Sequence, residues 1–290
     1  MKIYFEMRQK CSGAKPLISF CLLVILTQPV TARAADWTRP EISATQHSDH
    51  SEEISMQAPK EYPVTVELTL DSCVGCASET QMTQKVFIGK GEKVVVSKIQ
   101  PAGSEAIAEH HSYRFVPGKE LTEAPPDLVM QLPFPPGQSV MINQGYHGKF
   151  SHRGPNEFAM DFGLPTGSAI HAAQGGTVIF VEQNYAEGGD EARFVGKDNR
   201  VIVMHGDFTL GFYMHLRKDG AAVTVGQTVA AGDLLGYSGQ TGFARKPHLH
   251  FMTAYFSDMK KTIVSVPTKF KTSLGDQDLI EGHAYDSVNR

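Results

Sequence analysis

The apolar residues of this chain come in short alternating runs, and that spacing restricts it to a fold built from strands. Val64, Val66, Leu68 and Leu70 alternate with Thr65, Glu67 and Thr69, which puts the four apolar side chains on one face of an extended segment. Residues 85–88, 93–99 and 112–116 are further short runs rich in β-branched or aromatic side chains. So are 177–181, 200–204, 211–215 and 250–255, with a last one at 264–270. Gly89-Lys90-Gly91, Gly175-Gly176, Gly188-Gly189, Gly232-Asp233 and Ser238-Gly239 supply turns between them. No segment repeats apolar residues at helical spacing over a useful length. The 27 Gly and 16 Pro agree with many turns, and the fold class read from this pattern is all-β.

Composition narrows the function. At 41% hydrophobic and 20% charged residues the chain is neither disordered nor a multi-span membrane protein. A net charge of -4 gives no basis for nucleic-acid binding. The start of the chain has its own logic. Lys2, Arg8, Lys10 and Lys15 precede an apolar run over residues 17–26, and Ala32-Arg33-Ala34 follows. Residues 1–34 therefore read as a secretory signal peptide, with no stable membrane insertion after its cleavage and a periplasmic or secreted product. Cys11 and Cys21 leave with it. Cys73-Val74-Gly75-Cys76 remains, read as a short-loop disulfide in an oxidising compartment. A redox-active pair, or half of a metal site with His110 and His111, are the other readings.

Residues 35–60 are polar and aperiodic and read as a flexible linker. Residues 61–132 read as a small N-terminal antiparallel β domain. Pro133, Pro135, Pro136 and Gly137 then introduce a second antiparallel β domain over 133–272, and 273–290 reads as a polar C-terminal tail.

Chemistry concentrates in that second domain. His248-Leu249-His250 on a strand would project two imidazoles from one face. Tyr213-Met214-His215-Leu216 puts another histidine near a strand end, and Ser151-His152 lies upstream. Asp161, between Met160 and Phe162, sits on a strand with apolar neighbours, where a carboxylate calls for a cationic partner. A His, His, Asp set with one open position is a catalytic zinc arrangement rather than a closed structural one.

Between residues 144 and 270 the chain resembles the lysostaphin/LytM-type zinc metallopeptidases that cut peptidoglycan cross-links. The resemblance is carried, in order, by Gln144-Gly145-Tyr146-His147-Gly148-Lys149-Phe150-Ser151-His152, Ala159-Met160-Asp161-Phe162, Pro165-Thr166-Gly167-Ser168 and Ala172-Ala173-Gln174-Gly175-Gly176-Thr177-Val178. Tyr213-Met214-His215-Leu216, Val225-Gly226-Gln227, Ser238-Gly239-Gln240-Thr241-Gly242 and Pro247-His248-Leu249-His250-Phe251 complete it. It implies one zinc ion per chain held by His152, Asp161 and His250, with His215 and His248 as catalytic histidines. One of these would be the general base and the other would stabilise the tetrahedral intermediate. The substrate it implies is the peptide stem of peptidoglycan. It also implies an alternative, a non-enzymatic relative that binds or activates a cell-wall amidase. A regulatory protein partner acting through the N-terminal domain is a further expectation. The eight residues between His152 and Asp161 exceed the family's shortest spacing, and Lys246 stands where the family often has glycine. His147 is an extra ligand candidate. His171 and His205 read as structural, and His110, His111 and His283 as surface residues.

Overall fold

Strands form wherever the period-2 runs occur, and two separate cores gather them. The computed structural model describes residues 7–10, 37–77, 80, 82–104, 107–258, 260 and 262–288. The chain divides into two compact units. One comprises residues 38–119 with Met7–Lys10, and the other Trp37 with the chain from Glu120 onward. The only helical elements among the described residues are the 3-10 turns Gly154–Asn156 and Ala192–Phe194. No helix there is long and apolar enough to cross a membrane. The residues read as a signal peptide lie outside the described ones except for Met7–Lys10, which pair antiparallel with Ala108–Pro117.

In the N-terminal unit, Val64–Val74 lies between Ala108–Pro117 and Thr83–Ile88. Val64, Val66, Leu68 and Leu70 are all buried, as their alternation requires. Two expectations are corrected here. The linker expected over 35–60 is structured in its described part: Glu41–Gln46 and Glu52–Gln57 are strands, and the latter pairs with Lys93–Ile99. Ile54 and Met56 are fully buried. Only two alternating apolar residues mark that strand, too few to stand out in a polar stretch. His111 is not a surface residue: it is buried, with Nδ1 2.9 Å from Glu109 Oε1. His110 is exposed, and Cys73 and Cys76 are disulfide-bonded.

The second unit starts at Glu120 rather than at residue 133, because Met130 and Leu132 already belong to its core. The sheet that carries the site runs, in spatial order, Gly176–Glu182, Asn199–Met204, Leu210–Ala221, Leu249–Ser257, Ala159–Gly163 and Ser139–Gln144. Leu249–Ser257 is buried along its whole length, as befits a central strand. Phe162, Phe251 and Phe270 pack edge-on beneath it, with centroids 5.8 Å apart for the pairs that Phe270 makes. The expected strand over 264–270 is two strands, Thr262–Val266 and Lys269–Thr272, because Pro267 between them cannot donate to a ladder. The tail is structured as well. Ala284–Asp286 pairs with Ser139–Gln144 and buries Tyr285, a single aromatic that leaves no periodic trace.

His171 and His205 take structural places. His171 donates from Nδ1 to the Gly232 carbonyl at 2.7 Å, and His205 from Nδ1 to the Gly175 carbonyl at 3.0 Å. Burial pushes the His205 pKa down. The unfolded chain then binds a proton that the folded one refuses, so His205 costs stability only below about pH 6.5. Calorimetry from about pH 7.5 to 5 should show Tm falling with pH, and His205→Gln should flatten that slope. An unchanged slope would assign the acid sensitivity to other groups.

Candidate metal centre

Strand register assembles the site. Asp161 lies directly opposite Gln144 on one side and His250 on the other, and His250 lies opposite Met214. Residues paired in this way share a face of the sheet, so Gln144, Asp161 and His250 form a row. His215 follows Met214 and joins the face through a bulge: the register against Asn199–Met204 slips there, and His215 takes φ 64°. A left-handed conformation at a non-glycine residue is strained and occurs where a side chain has to be re-aimed. His152 arrives from the loop before Ala159–Gly163, and His248 immediately precedes the Leu249 strand.

The five residues named from the sequence are thus brought together. Asp161 Oδ1 is 3.1 Å from His152 Nε2, 3.0 Å from His250 Nδ1 and 3.6 Å from His248 Nε2. The His215 and His248 rings lie 4.7 Å apart, centroid to centroid. His152, Asp161, His215 and His250 are buried. His147 is elsewhere, exposed and paired with Glu157 at 3.2 Å.

Hydrogen bonding fixes the ring orientations. His152 Nδ1 is 2.7 Å from the Gly145 carbonyl, His215 Nδ1 2.7 Å from that of Thr241, and His248 Nδ1 2.8 Å from that of Lys246. A carbonyl only accepts, so each Nδ1 carries the hydrogen and each neutral ring turns a bare Nε2 to the site. His152 then points a lone pair at a carboxylate oxygen. Only a proton or a cation between them makes that contact favourable.

Two groups of donors in this cluster have ligand atoms within 4.8 Å of one another: His152, Asp161 and His250, and His215, His248 and His250. Tetrahedral zinc with ligands at about 2.0–2.1 Å sets its donors about 3.3 Å apart, close to the spacing in the first group. That donor set, two neutral imidazoles and a carboxylate, fits zinc.

The electrostatics agree. Burial pushes the Asp161 carboxyl up, but the His152 and His250 imidazoles against its oxygen outweigh it and hold the group well below the usual carboxylate range. Burial, with His248 and His250 nearby, pushes His215 well below an ordinary imidazole. Both can therefore keep the forms that metal chemistry needs at neutral pH.

Three contributors carried no assignment from the sequence. Gln144 donates from Nε2 to Asp161 Oδ2 at 3.1 Å. The alternation of buried Val140, Ile142 and Gln144 is the signal that marks it as inward-facing. Thr241 accepts from the Asn199 amide (2.9 Å) and donates to the Leu216 carbonyl (2.7 Å), while its own carbonyl holds His215. The Gly145 carbonyl, a backbone atom, leaves no trace in side-chain chemistry. Gly188 supports the same segment by pairing with Gly242, and a Cβ there would run into the Gln240 carbonyl. Gly188→Ala should cost about 1–3 kcal/mol by overpacking and displace His215. Reduced activity with zinc content unchanged is the expected result, and an unaltered enzyme would remove this supporting role.

A buried cluster of histidines and an aspartate on a β-sheet is a candidate metal site, and comparison with known proteins gives the class of the domain that carries it. Residues 156–262 match peptidase family M23, so the chain carries an M23 peptidase domain, homologous to the lysostaphin/LytM glycyl-glycine endopeptidases. The match contains Asp161, His215, His248 and His250, and His152 lies just ahead of it. Among curated relatives, glycyl-glycine endopeptidase ALE-1 of Staphylococcus capitis is 36% identical over 107 residues, 36% of this chain and 27% of that protein. Peptidoglycan DD-endopeptidase ShyA of Vibrio cholerae is 33% identical over 91 residues, 31% of this chain and 18% of that one. The alignments thus span about a quarter or less of these relatives. Among solved structures, the catalytic domain of lysostaphin from Staphylococcus simulans covers 44% of this chain and 87% of its own, at 25% identity and a TM-score of 0.31.

Proposed function

We propose that this protein is an exported zinc metalloendopeptidase that hydrolyses peptide bonds in the stem-peptide cross-links of peptidoglycan. The observation that carries the reading is the convergence of His152 Nε2 and His250 Nδ1 on Asp161 Oδ1, with His215 and His248 beside them. When bound there, zinc supplies a Lewis acid and a water of lowered pKa. The rest falls to the chain. His152, Asp161 and His250 are the ligands. Gln144 holds Asp161 through its second oxygen. His215 and His248, each with Nε2 free to take a proton, are the catalytic pair.

The cluster opens on a cleft of about 440 Å³ lined by Phe150, Phe243, Lys246 and both catalytic histidines, where a peptide can lie. Phe150 and Phe243 stack at 5.2 Å and give it an apolar wall. A relative that only activates an amidase has no need of an intact ligand set, and this chain keeps all five residues. Chelation should abolish hydrolysis of purified peptidoglycan, and zinc should restore it. Activity that survives chelation, or purified protein that takes up no zinc, would overturn the proposal.

A further inference from the structure

We infer that the site takes peptides bearing carboxylates near the scissile bond, and that Arg217 and Lys218 receive them. The inference rests on the peptidase reading above and specifies its substrate class.

Leu210–Ala221 carries His215 and then, exposed, Arg217 and Lys218. At about 3.3 Å per residue the two cations stand roughly 7–10 Å along the strand from His215. An extended peptide spans that distance in two to three residues. They line a second cleft of about 560 Å³ with Arg193, Glu187, Gln240 and Thr241. The Thr241 carbonyl is the one that holds His215, so this cleft adjoins the catalytic pair.

Charge decides what the second cleft prefers. Arg193 is already paired with Glu191 at 2.8 Å. Arg217 rests over the Tyr237 ring, 4.9 Å from its centroid. Among the described residues, neither Arg217 nor Lys218 has a carboxylate within ion-pair distance, and Glu187 is the one acid in the lining. On the catalytic side Lys246 also lacks an acidic partner among the described residues, while Arg245 reaches Asp190 at 3.4 Å. A chain of net charge -4 thus keeps unpaired cations beside its cleft. A guanidinium binds a carboxylate through two parallel hydrogen bonds. An oligoglycine bridge offers neutral amides alone and gains nothing from these cations.

The experiment compares three probes with the full-length, zinc-loaded protein: stem-peptide dimers with free side-chain carboxylates, the same dimers with those carboxylates converted to amides, and pentaglycine. Cleavage is followed by mass analysis, and binding by fluorescence anisotropy of labelled probes. The free-carboxylate dimers should be preferred about fivefold to tenfold, as expected for two partly exposed ion pairs. The preference should reside in KM and shrink as salt rises. In Arg217→Gln/Lys218→Gln the ratio should fall to about one, and Arg217→Lys should restore part of it. Lys269→Gln/Lys271→Gln, with the same change in net charge on another strand, should keep the ratio. Equal handling of the two dimers, better cleavage of pentaglycine, or a preference that persists in the double variant would overturn the inference. Failure to cleave any probe would sink the peptidase reading instead, and the anisotropy ratio would still decide the carboxylate preference.

Discussion

Asp161→Asn is expected to leave the purified protein almost free of zinc. Asp161 Oδ1 is the point on which His152 and His250 both converge, and an amide oxygen lacks the negative charge that offsets a divalent ion. Loss of an outer hydrogen-bond partner alone typically costs roughly 10–100-fold in metal affinity, and removal of a charged ligand should cost more. The effect extends to stability. Zinc supplied at about 1,000 times its Kd holds the native state by about 4 kcal/mol, so added zinc should raise Tm in the wild type and hardly at all in the variant. The metal-free variant should still fold, because the amide removes a buried charge without changing the shape of the side chain. Metal analysis by mass spectrometry and a thermal melt with and without zinc check both statements. A variant that retains about one zinc per chain would remove Asp161 from the ligand set.

The second large effect is expected at His248. His248→Ala should lower kcat by roughly 100- to 10,000-fold, the usual contribution of a positioned acid or base, while zinc content stays at about one per chain. His248 suits this test better than His215. It is partly exposed and held by one hydrogen bond to the Lys246 carbonyl, whereas His215 is buried and seated on Thr241, so its removal also disturbs packing. Single-turnover rates beside zinc stoichiometry separate a catalytic role from a ligand role. If His248→Ala loses its zinc, the ion sits among His215, His248 and His250, and the assignment of ligand and base has to be exchanged.

How much of this was legible in the sequence follows from the range over which each signal acts. Alternation is local, so Val64 to Leu70 announced their strand and their buried face. The cluster of five residues was legible because the motifs around His152, Asp161, His215 and His248-Leu249-His250 are compact and occur in order. The device that aims His215 was not, since a bulge is a relation between two strands and Met214-His215-Leu216 reads as an ordinary run. Glu41–Gln46 and Glu52–Gln57 were hidden because pairing rather than hydrophobicity holds most of their length. Of the two strands only Ile54, Ser55 and Met56 are buried. Tyr285 was hidden for the same reason at the other end. Gly145 and Thr241 act on the site through backbone carbonyls, which every residue has, so no side-chain pattern singles them out.

The central claim is tested most directly by anomalous diffraction at the zinc edge from crystals of zinc-loaded protein. One peak per chain is expected, about 2.0–2.2 Å from His152 Nε2, an Asp161 carboxylate oxygen and His250 Nδ1, with His215 and His248 facing the remaining coordination position. A peak bonded to His215 and His248 instead, or crystals that take up no ion between these strands, would contradict it.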